Sequence, residues 1–126
     1  MSAEDWSPSD LPAVSYIRVA PTTTDEAARR VEHQPAQIAL AAQRLGLRMA
    51  DEFVDVGYSG MSIDRPDLRR LLDHLAVHQV GFCVFATRDR LSEDPEHMAD
   101  INETLDDALV AIVVAADHVG PERNGA

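Results

Sequence analysis

The chain of 126 residues carries 22 acidic side chains against 11 arginines and no lysine, so its formal net charge is -11. A chain this acidic is a poor general binder of nucleic acid, because affinity for the phosphate backbone comes mainly from Lys and Arg. The single cysteine, Cys83, excludes an internal disulfide framework, and no apolar run approaches the roughly 18 residues that span a bilayer. We therefore expect a cytoplasmic protein without membrane contact.

The charge is unevenly distributed along the chain. Residues 18–90 hold ten acidic side chains and ten arginines, whereas residues 91–117 hold eight acidic side chains and no arginine. The middle of the chain can therefore form a site for an anion, while the later part should repel one.

The first third of the chain predicts one strand and a helical region. Residues 1–12 are acidic and lack apolar periodicity, and we expect a disordered leader. Residues 13–19 are mostly small or β-branched, with one tyrosine, which is typical of a strand. Residues 25–31 could form a short helix. The main helix is expected to begin near Pro35, because proline fits a first turn and not a helix interior, and to end before Gly46.

Strand and helix patterns alternate along the rest of the chain. A nearly continuous apolar run at 80–86 is typical of a strand that is covered on both faces. Asp64 and Asp94 each precede a proline-containing first turn and can cap a helix. The elements predicted after residue 47 are strands over 48–56, 80–86 and 109–116, helices opening near residues 64 and 94, loops over 57–63 and 87–93, and a flexible tail over 118–126.

This order of elements predicts an α/β fold of three layers. We expect a mainly parallel sheet of four or five strands with helices on both faces, formed by one domain over residues 13–117. Sites in such sheets form beyond the carboxyl ends of the strands. Three strand ends carry charged or hydroxyl side chains, at residues 16–20, 55–65 and 87–93.

Arginines at these strand ends fit a phosphate site. They are Arg18, Arg65, Arg88 and Arg90. A guanidinium group is always charged and can bind phosphate through two N–H groups. The same arginines could instead form surface ion pairs with neighbouring aspartates, which contribute little. Composition and spacing leave both interpretations open.

Four short motifs stand in order along the chain. They are Y-I-R-V-A at 16–20, F-V-D-V-G-Y-S-G at 53–60, S-I-D-R-P-D-L at 62–68 and T-R-D-R-L-S at 87–92. With this order and spacing, the chain resembles the serine recombinases, the resolvase and invertase family. The corresponding family motifs read Y-x-R-V-S, F-x-D-x-x-x-S-G, S-x-D-R-P-x-L and L-D-R-L-S/G-R. The resemblance runs from about residue 13 to residue 114 and implies the α/β catalytic domain of that family.

The resemblance also implies a chemistry. In the family, a serine attacks a phosphodiester of DNA and forms a phosphoserine link that is later reversed, while arginines hold the phosphate. By position in this sequence, the phosphate-binding residues are Arg18, Arg65 and Arg90, the acid that positions them is Asp89, the supporting loop residues are Asp55 and Ser59, and the helix glutamine is Gln37.

Two positions depart from the family pattern. Ala20 stands where the family has its serine, and a methyl group cannot attack phosphorus. Glu93 stands where the last arginine of the fourth motif is expected, and a carboxylate there repels a phosphate. Thr22 is a nearby hydroxyl that could replace the serine, although it lies two residues further on and errors of about 1 Å are costly in such chemistry.

We therefore predict a catalytically inactive family member that acts as a regulatory or protein-interaction module. Its partner would be a second copy or a full-length recombinase. DNA binding by the chain alone should be weak or absent, because the family's long helix and DNA-binding domain have no counterpart after residue 117. One alternative is a recombination enzyme or subunit that cuts and rejoins DNA with a partner or a substitute threonine. A second is a module that binds a small anion or nucleotide.

We expect no cofactor and no metal. His74 and His78 lie one helical turn apart, as do Glu93 and His97, but neither pair has further ligands at suitable spacing. Cys83 stands in an apolar run and is expected to be a core residue.

Overall fold

The structure, a computed structural model, describes residues 11–119, without the side chains of residue 24, residues 26–28 and residues 30–32. The predicted leader over 1–12 and tail over 118–126 therefore lie almost entirely outside the described residues. The elements in chain order are β1 (Pro12–Val19), α1 (Thr24–Leu45), β2 (Arg48–Val56), α2 (Pro66–Val77), β3 (Phe82–Phe85), α3 (Arg88–Leu91), α4 (Pro95–Asp107), β4 (Ala111–Val114) and α5 (Ala116–Val119).

The four strands form one parallel sheet in the order β2-β1-β3-β4. β1 lies in the middle and pairs with β2 along its whole length, with Arg18 opposite Asp55. All strands point the same way, so their carboxyl ends lie along one edge of the sheet. The predicted α/β fold with a parallel sheet is confirmed, and the number of strands is four.

Hydrophobic side chains cover both faces of the sheet. On one face, Tyr16 of β1 and Phe85 of β3 pack with buried leucines of α2, α3 and α4 and with Ile101 of α4. On the other face, Ile17 and Val84 pack with Ile38 and other residues of α1, and α5 adds a partly buried side chain. Alternate side chains of each strand thus enter opposite cores, which gives the three layers.

The prediction of two helices before Gly46 is wrong, because α1 runs without a break from residue 24 to residue 45 and contains Pro35 in its interior. An interior proline costs about 3 kcal/mol. Burial of Ile38, Ala41 and Ala42 against the sheet offsets that cost, since helices in proteins are stabilised mainly by tertiary packing. Gly46 ends the helix as predicted, with φ of 70°.

The two predicted aspartate caps differ in outcome. Asp94 accepts a hydrogen bond from the backbone N–H of Glu96 at 3.1 Å and caps α4, as predicted. The prediction for Asp64 is wrong, because its carboxylate pairs with Arg69 at 2.7 Å and Arg65 occupies the cap position of α2. The stretch over 87–93, predicted as a loop, contains the four-residue helix α3. Across residues 11–119, none of the helices could cross a membrane, being too short or too polar.

Candidate functional site

The candidate site lies at the carboxyl edge of the sheet, where β1, β2 and β3 end. The turn after β2 is joined to the end of β1, because the Val19 carbonyl accepts hydrogen bonds from the backbone N–H groups of Gly57 (2.7 Å) and Tyr58 (3.1 Å). Residue 20 follows at once, with its methyl group partly exposed. These contacts bring the first two motifs of the sequence together.

Arg18 is buried, with 1% of its side chain exposed, and four of its N–H groups have acceptors. Three are backbone carbonyls, of Tyr58 (3.0 Å), Asp89 (2.8 Å) and Arg90 (3.1 Å). The fourth is the Glu93 carboxylate, at 2.9 Å. The Arg18 guanidinium group is therefore held by the protein itself.

Arg65 is held in the same way and is also 1% exposed. It donates to the carbonyls of Ser62 at 2.9 Å and Leu91 at 2.7 Å, with longer contacts to the Tyr16 hydroxyl (3.3 Å) and the Arg90 carbonyl (3.4 Å). A short helix such as α3 leaves its last carbonyls without intrahelical partners. The two buried guanidinium groups satisfy three consecutive ones, from residue 89 to residue 91.

Glu93 reaches Arg18 by crossing directly over Gly60. The Glu93 N–H donates to the Gly60 carbonyl at 2.9 Å. A Cβ atom added to Gly60 would lie 2.5 Å from Cγ of Glu93 and 2.7 Å from its Cδ and Oε2. The absence of a side chain at position 60 therefore leaves room for this path of the Glu93 side chain.

Asp55 joins β1, β2 and α2. Its carboxylate accepts hydrogen bonds from the Tyr16 hydroxyl (2.7 Å) and from the backbone N–H groups of Asp67 (2.9 Å) and Leu68 (3.0 Å). It thus caps the amino end of α2, where a negative charge is favoured. Burial, and then the hydrogen bond to Asp55, raise the pKa of Tyr16 well above its usual range, so the hydroxyl stays protonated and donates.

Asp89 and Ser59 use their side chains locally. The Asp89 carboxylate accepts from the Thr87 hydroxyl, and the residue meets Arg18 only through its backbone carbonyl. The Ser59 hydroxyl accepts from the Met61 N–H at 3.1 Å and closes the turn after β2. In these contacts both residues shape loops around the site.

A small cavity of about 180 Å³ opens on the α1 side of the same edge. Arg90 lines it and donates through Nη1 to the Arg18 carbonyl at 3.2 Å, while the buried Nε of Arg90 has no acceptor among the described residues. Gln37 also lines the cavity, as the resemblance implies for a site residue. The remaining lining residues are Arg29, His33, Gln34, Ala86 and Thr87.

Sequence reasoning missed three of these α1 residues. Gln34 is buried, and its Nε2 donates to the Arg18 carbonyl at 3.0 Å, so its amide touches the site directly. Arg29 and His33 precede Gln37 at spacings of four, which places all three on one face of a helix. This spacing is visible in the sequence, but the predicted start of the main helix near Pro35 assigned Arg29 and His33 to a different segment from Gln37.

Within residues 11–119, no group of three or more His, Cys, Asp or Glu side chains is arranged to hold a metal ion. His74 stacks on His78 with ring centroids 4.1 Å apart, and its Nε2 lies 3.7 Å from the Asp51 carboxylate. His97 approaches Arg65 at 3.5 Å. Burial, and then the nearby Arg65 charge, lower the pKa of His97.

The chain belongs to the resolvase family. Residues 13–125 match the family model described as Resolvase, N terminal domain. This confirms the family that the four motifs indicate, a family that includes the serine recombinases. A comparison with curated proteins found no match.

Solved structures of serine recombinase catalytic domains have the same fold. The C-terminal catalytic domain of ISC1926 TnpA, an IS607-like serine recombinase, is 24% identical with a TM-score of 0.73, over 90% of this chain and 71% of that one. The N-terminal catalytic domain of TP901-1 integrase is 19% identical with a TM-score of 0.75, over 86% and 80%. A resolvase family site-specific recombinase from Streptococcus pneumoniae is 19% identical with a TM-score of 0.73, over 90% and 78%.

Proposed function

We propose that this chain is a resolvase family member that does not cleave DNA itself and serves DNA recombination as a regulatory or protein-interaction module. The observation that carries the proposal is Ala20, which stands at the serine position of the first motif, at the carboxyl end of β1. Covalent cleavage needs a nucleophile with a lone pair and a removable proton, and a methyl group has neither.

The charges around Ala20 support the same conclusion. Stabilising a phosphoryl transfer needs positive charge that is free to meet the developing negative charge. Arg18 and Arg65 instead donate to backbone carbonyls, and Glu93 supplies a compensating negative charge at Arg18. Thr22 is exposed and lies in the irregular segment between β1 and α1, so it is a poor substitute for a positioned serine.

An acidic surface favours a protein partner over DNA. Exposed acids lie along α4, a helix without arginine or lysine; they include Glu96, Asp100, Glu103 and Asp107. Such a surface repels the phosphate backbone and suits a basic protein face. We place the protein in the cytoplasm, with a second copy or a full-length recombinase as partner.

A cleavage assay tests the proposal. End-labelled genomic fragments of the host are incubated with the protein and resolved under denaturing conditions, where a covalent link retards the DNA. We expect no retarded DNA from the wild type. The Ala20→Ser variant shows whether a serine alone restores cleavage. The Ala20→Ser/Glu93→Arg variant shows whether serine and arginine restore it together.

A covalent adduct formed by the wild-type protein would overturn the proposal. If Thr22→Ala then abolished that adduct, the alternative of a recombination enzyme with a substitute threonine would hold. Co-purification with a full-length recombinase from the host, weakened by reversing the charge of Glu103, would identify the partner surface.

Binding of a small anion is a second candidate function, favoured by the cavity that Arg90 lines. The buried Nε of Arg90 has no acceptor within the described part of the chain, and Arg29 and His33 add basic side chains to the lining. Phosphate should raise the melting temperature of the wild type but not of Arg90→Gln. The exposed Arg69→Gln variant is the matched control, and an equal effect of phosphate on all three proteins would contradict this candidate.

A further inference from the structure

The Arg18 guanidinium group has one charged acceptor, and the chain supplies it. Its other three acceptors are neutral backbone carbonyls. The Glu93 side chain is 46% exposed, whereas that of Arg18 is 1% exposed. The carboxylate therefore lies between the guanidinium group and solvent.

The path of Glu93 is built into the fold. Its backbone N–H bonds to the Gly60 carbonyl, and its side chain occupies the space where any other residue at position 60 would place a Cβ atom. Both contacts aim the carboxylate at Nη2 of Arg18.

Carboxylate and phosphate oxygens are the two anionic acceptors that guanidinium groups bind best. We propose that Glu93 occupies a latent phosphate site on Arg18, which a phosphate group enters when the Glu93 side chain is displaced or removed. The inference rests on the proposed function, because it explains how the family's arginine is kept from substrate phosphate in this chain.

Opening the site leaves the fold intact. Rotating the Glu93 side chain outward breaks one hydrogen bond of Arg18 and keeps its three bonds to carbonyls, as well as the backbone bond to Gly60. The Glu93 carboxylate is already 46% exposed, so water can solvate it once it has turned outward, and displacement costs about as much as one charge-assisted hydrogen bond. Arg18 stays positioned, with Nη2 directed at the space that the carboxylate leaves.

Two variants that remove the same charge test the inference. Glu93→Ala uncovers Arg18, while Glu103→Ala removes an exposed glutamate from the middle of α4 and is the matched control. Inorganic phosphate is titrated at constant ionic strength, with the backbone amide of Gly60 followed by NMR. The Thr87 amide reports separately on the Arg90 cavity.

We expect Glu93→Ala to bind phosphate at least about tenfold more tightly than Glu103→Ala, the effect of one charge-assisted hydrogen bond. The Gly60 amide should shift only in Glu93→Ala. Equal affinities, with a stationary Gly60 amide, would overturn the inference. If Glu93→Ala does not fold, Glu93→Gln against Glu103→Gln makes the same comparison, with a smaller expected gain because the amide still covers Arg18.

Two further measurements identify the source of the phosphate and distinguish failure of this inference from failure of the proposed function. Dimethyl phosphate mimics the diester of nucleic acid. If Glu93→Ala binds both dimethyl phosphate and inorganic phosphate, the source of the phosphate is DNA. If it binds inorganic phosphate alone, the ligand is a free phosphate. DNA cleavage by the wild type would overturn the proposed function and leave this comparison valid. Unchanged phosphate affinity in Glu93→Ala would overturn the inference and leave the absence of cleavage unaffected.

Discussion

Replacing Arg65 with lysine tests whether the buried arginines hold the fold together. The substitution keeps the positive charge but replaces a planar fork of five donors by a single ammonium group. In the structure, the fork spans the Ser62 and Leu91 carbonyls at 2.9 and 2.7 Å. One ammonium group cannot reach both carbonyls along these directions, so α3 loses its attachment to the loop before α2.

The size of the effect follows from the two short bonds. Hydrogen bonds to a charged group contribute about 1.5–3 kcal/mol each, and a buried acceptor left without a partner costs about 1–3 kcal/mol. The longer contacts of 3.3 and 3.4 Å are neglected. Lysine retains one of the short bonds and loses the other. The two costs overlap, because the value of a lost bond already contains part of the penalty of the unpaired carbonyl, so we expect Arg65→Lys to lower the free energy of unfolding by about 2–4 kcal/mol.

Urea unfolding followed by circular dichroism measures this loss. With a slope of about 2 kcal/mol per molar urea, the midpoint should fall by about 1–2 M. Arg69→Lys is the control, because Arg69 is 69% exposed and its pair with Asp64 should contribute less than about 1 kcal/mol. Equal midpoints for Arg65→Lys and the wild type would refute the structural role of Arg65 and favour an arginine that waits for a ligand.

Three further predictions concern Gly60, Asp55 and Cys83. Gly60→Ala should lower the free energy of unfolding by about 1–3 kcal/mol, because its Cβ atom would meet the Glu93 side chain. Most of this cost should vanish in the Glu93→Ala background, and additive costs of the two substitutions in urea unfolding would contradict the predicted clash. Asp55→Asn replaces an accepting oxygen by a donor at the cap of α2 and should cost about 1–3 kcal/mol by the same measurement, whereas the exposed Asp73→Asn should be neutral. Burial raises the pKa of Cys83 to about 12, so a thiol reagent at pH 8 should label this cysteine only when the protein unfolds. Rapid labelling of the native protein would show that β3 is not buried.

The sequence predicts the α/β fold because its signals are local. Alternating apolar runs, the prolines at the starts of α2 and α4, and Gly46 act within a few residues of where they stand. The identities of Ala20 and Glu93 are likewise visible without a structure. The sequence alone therefore determines the class of fold, the family resemblance and the loss of the serine.

The contacts of the site depend on tertiary structure. Arg18 and Glu93 are 75 residues apart in the sequence, and they meet because β1 lies beside β3 in the sheet. No local sequence pattern predicts this order of strands. Pro35 misled the sequence analysis because packing of α1 on the sheet outweighs the local cost of proline. Burial decided which partners Arg18 has, because a buried guanidinium group must find acceptors within the protein. Those acceptors are three backbone carbonyls and the carboxylate of Glu93, which the chain brings from just after α3 to the end of β1.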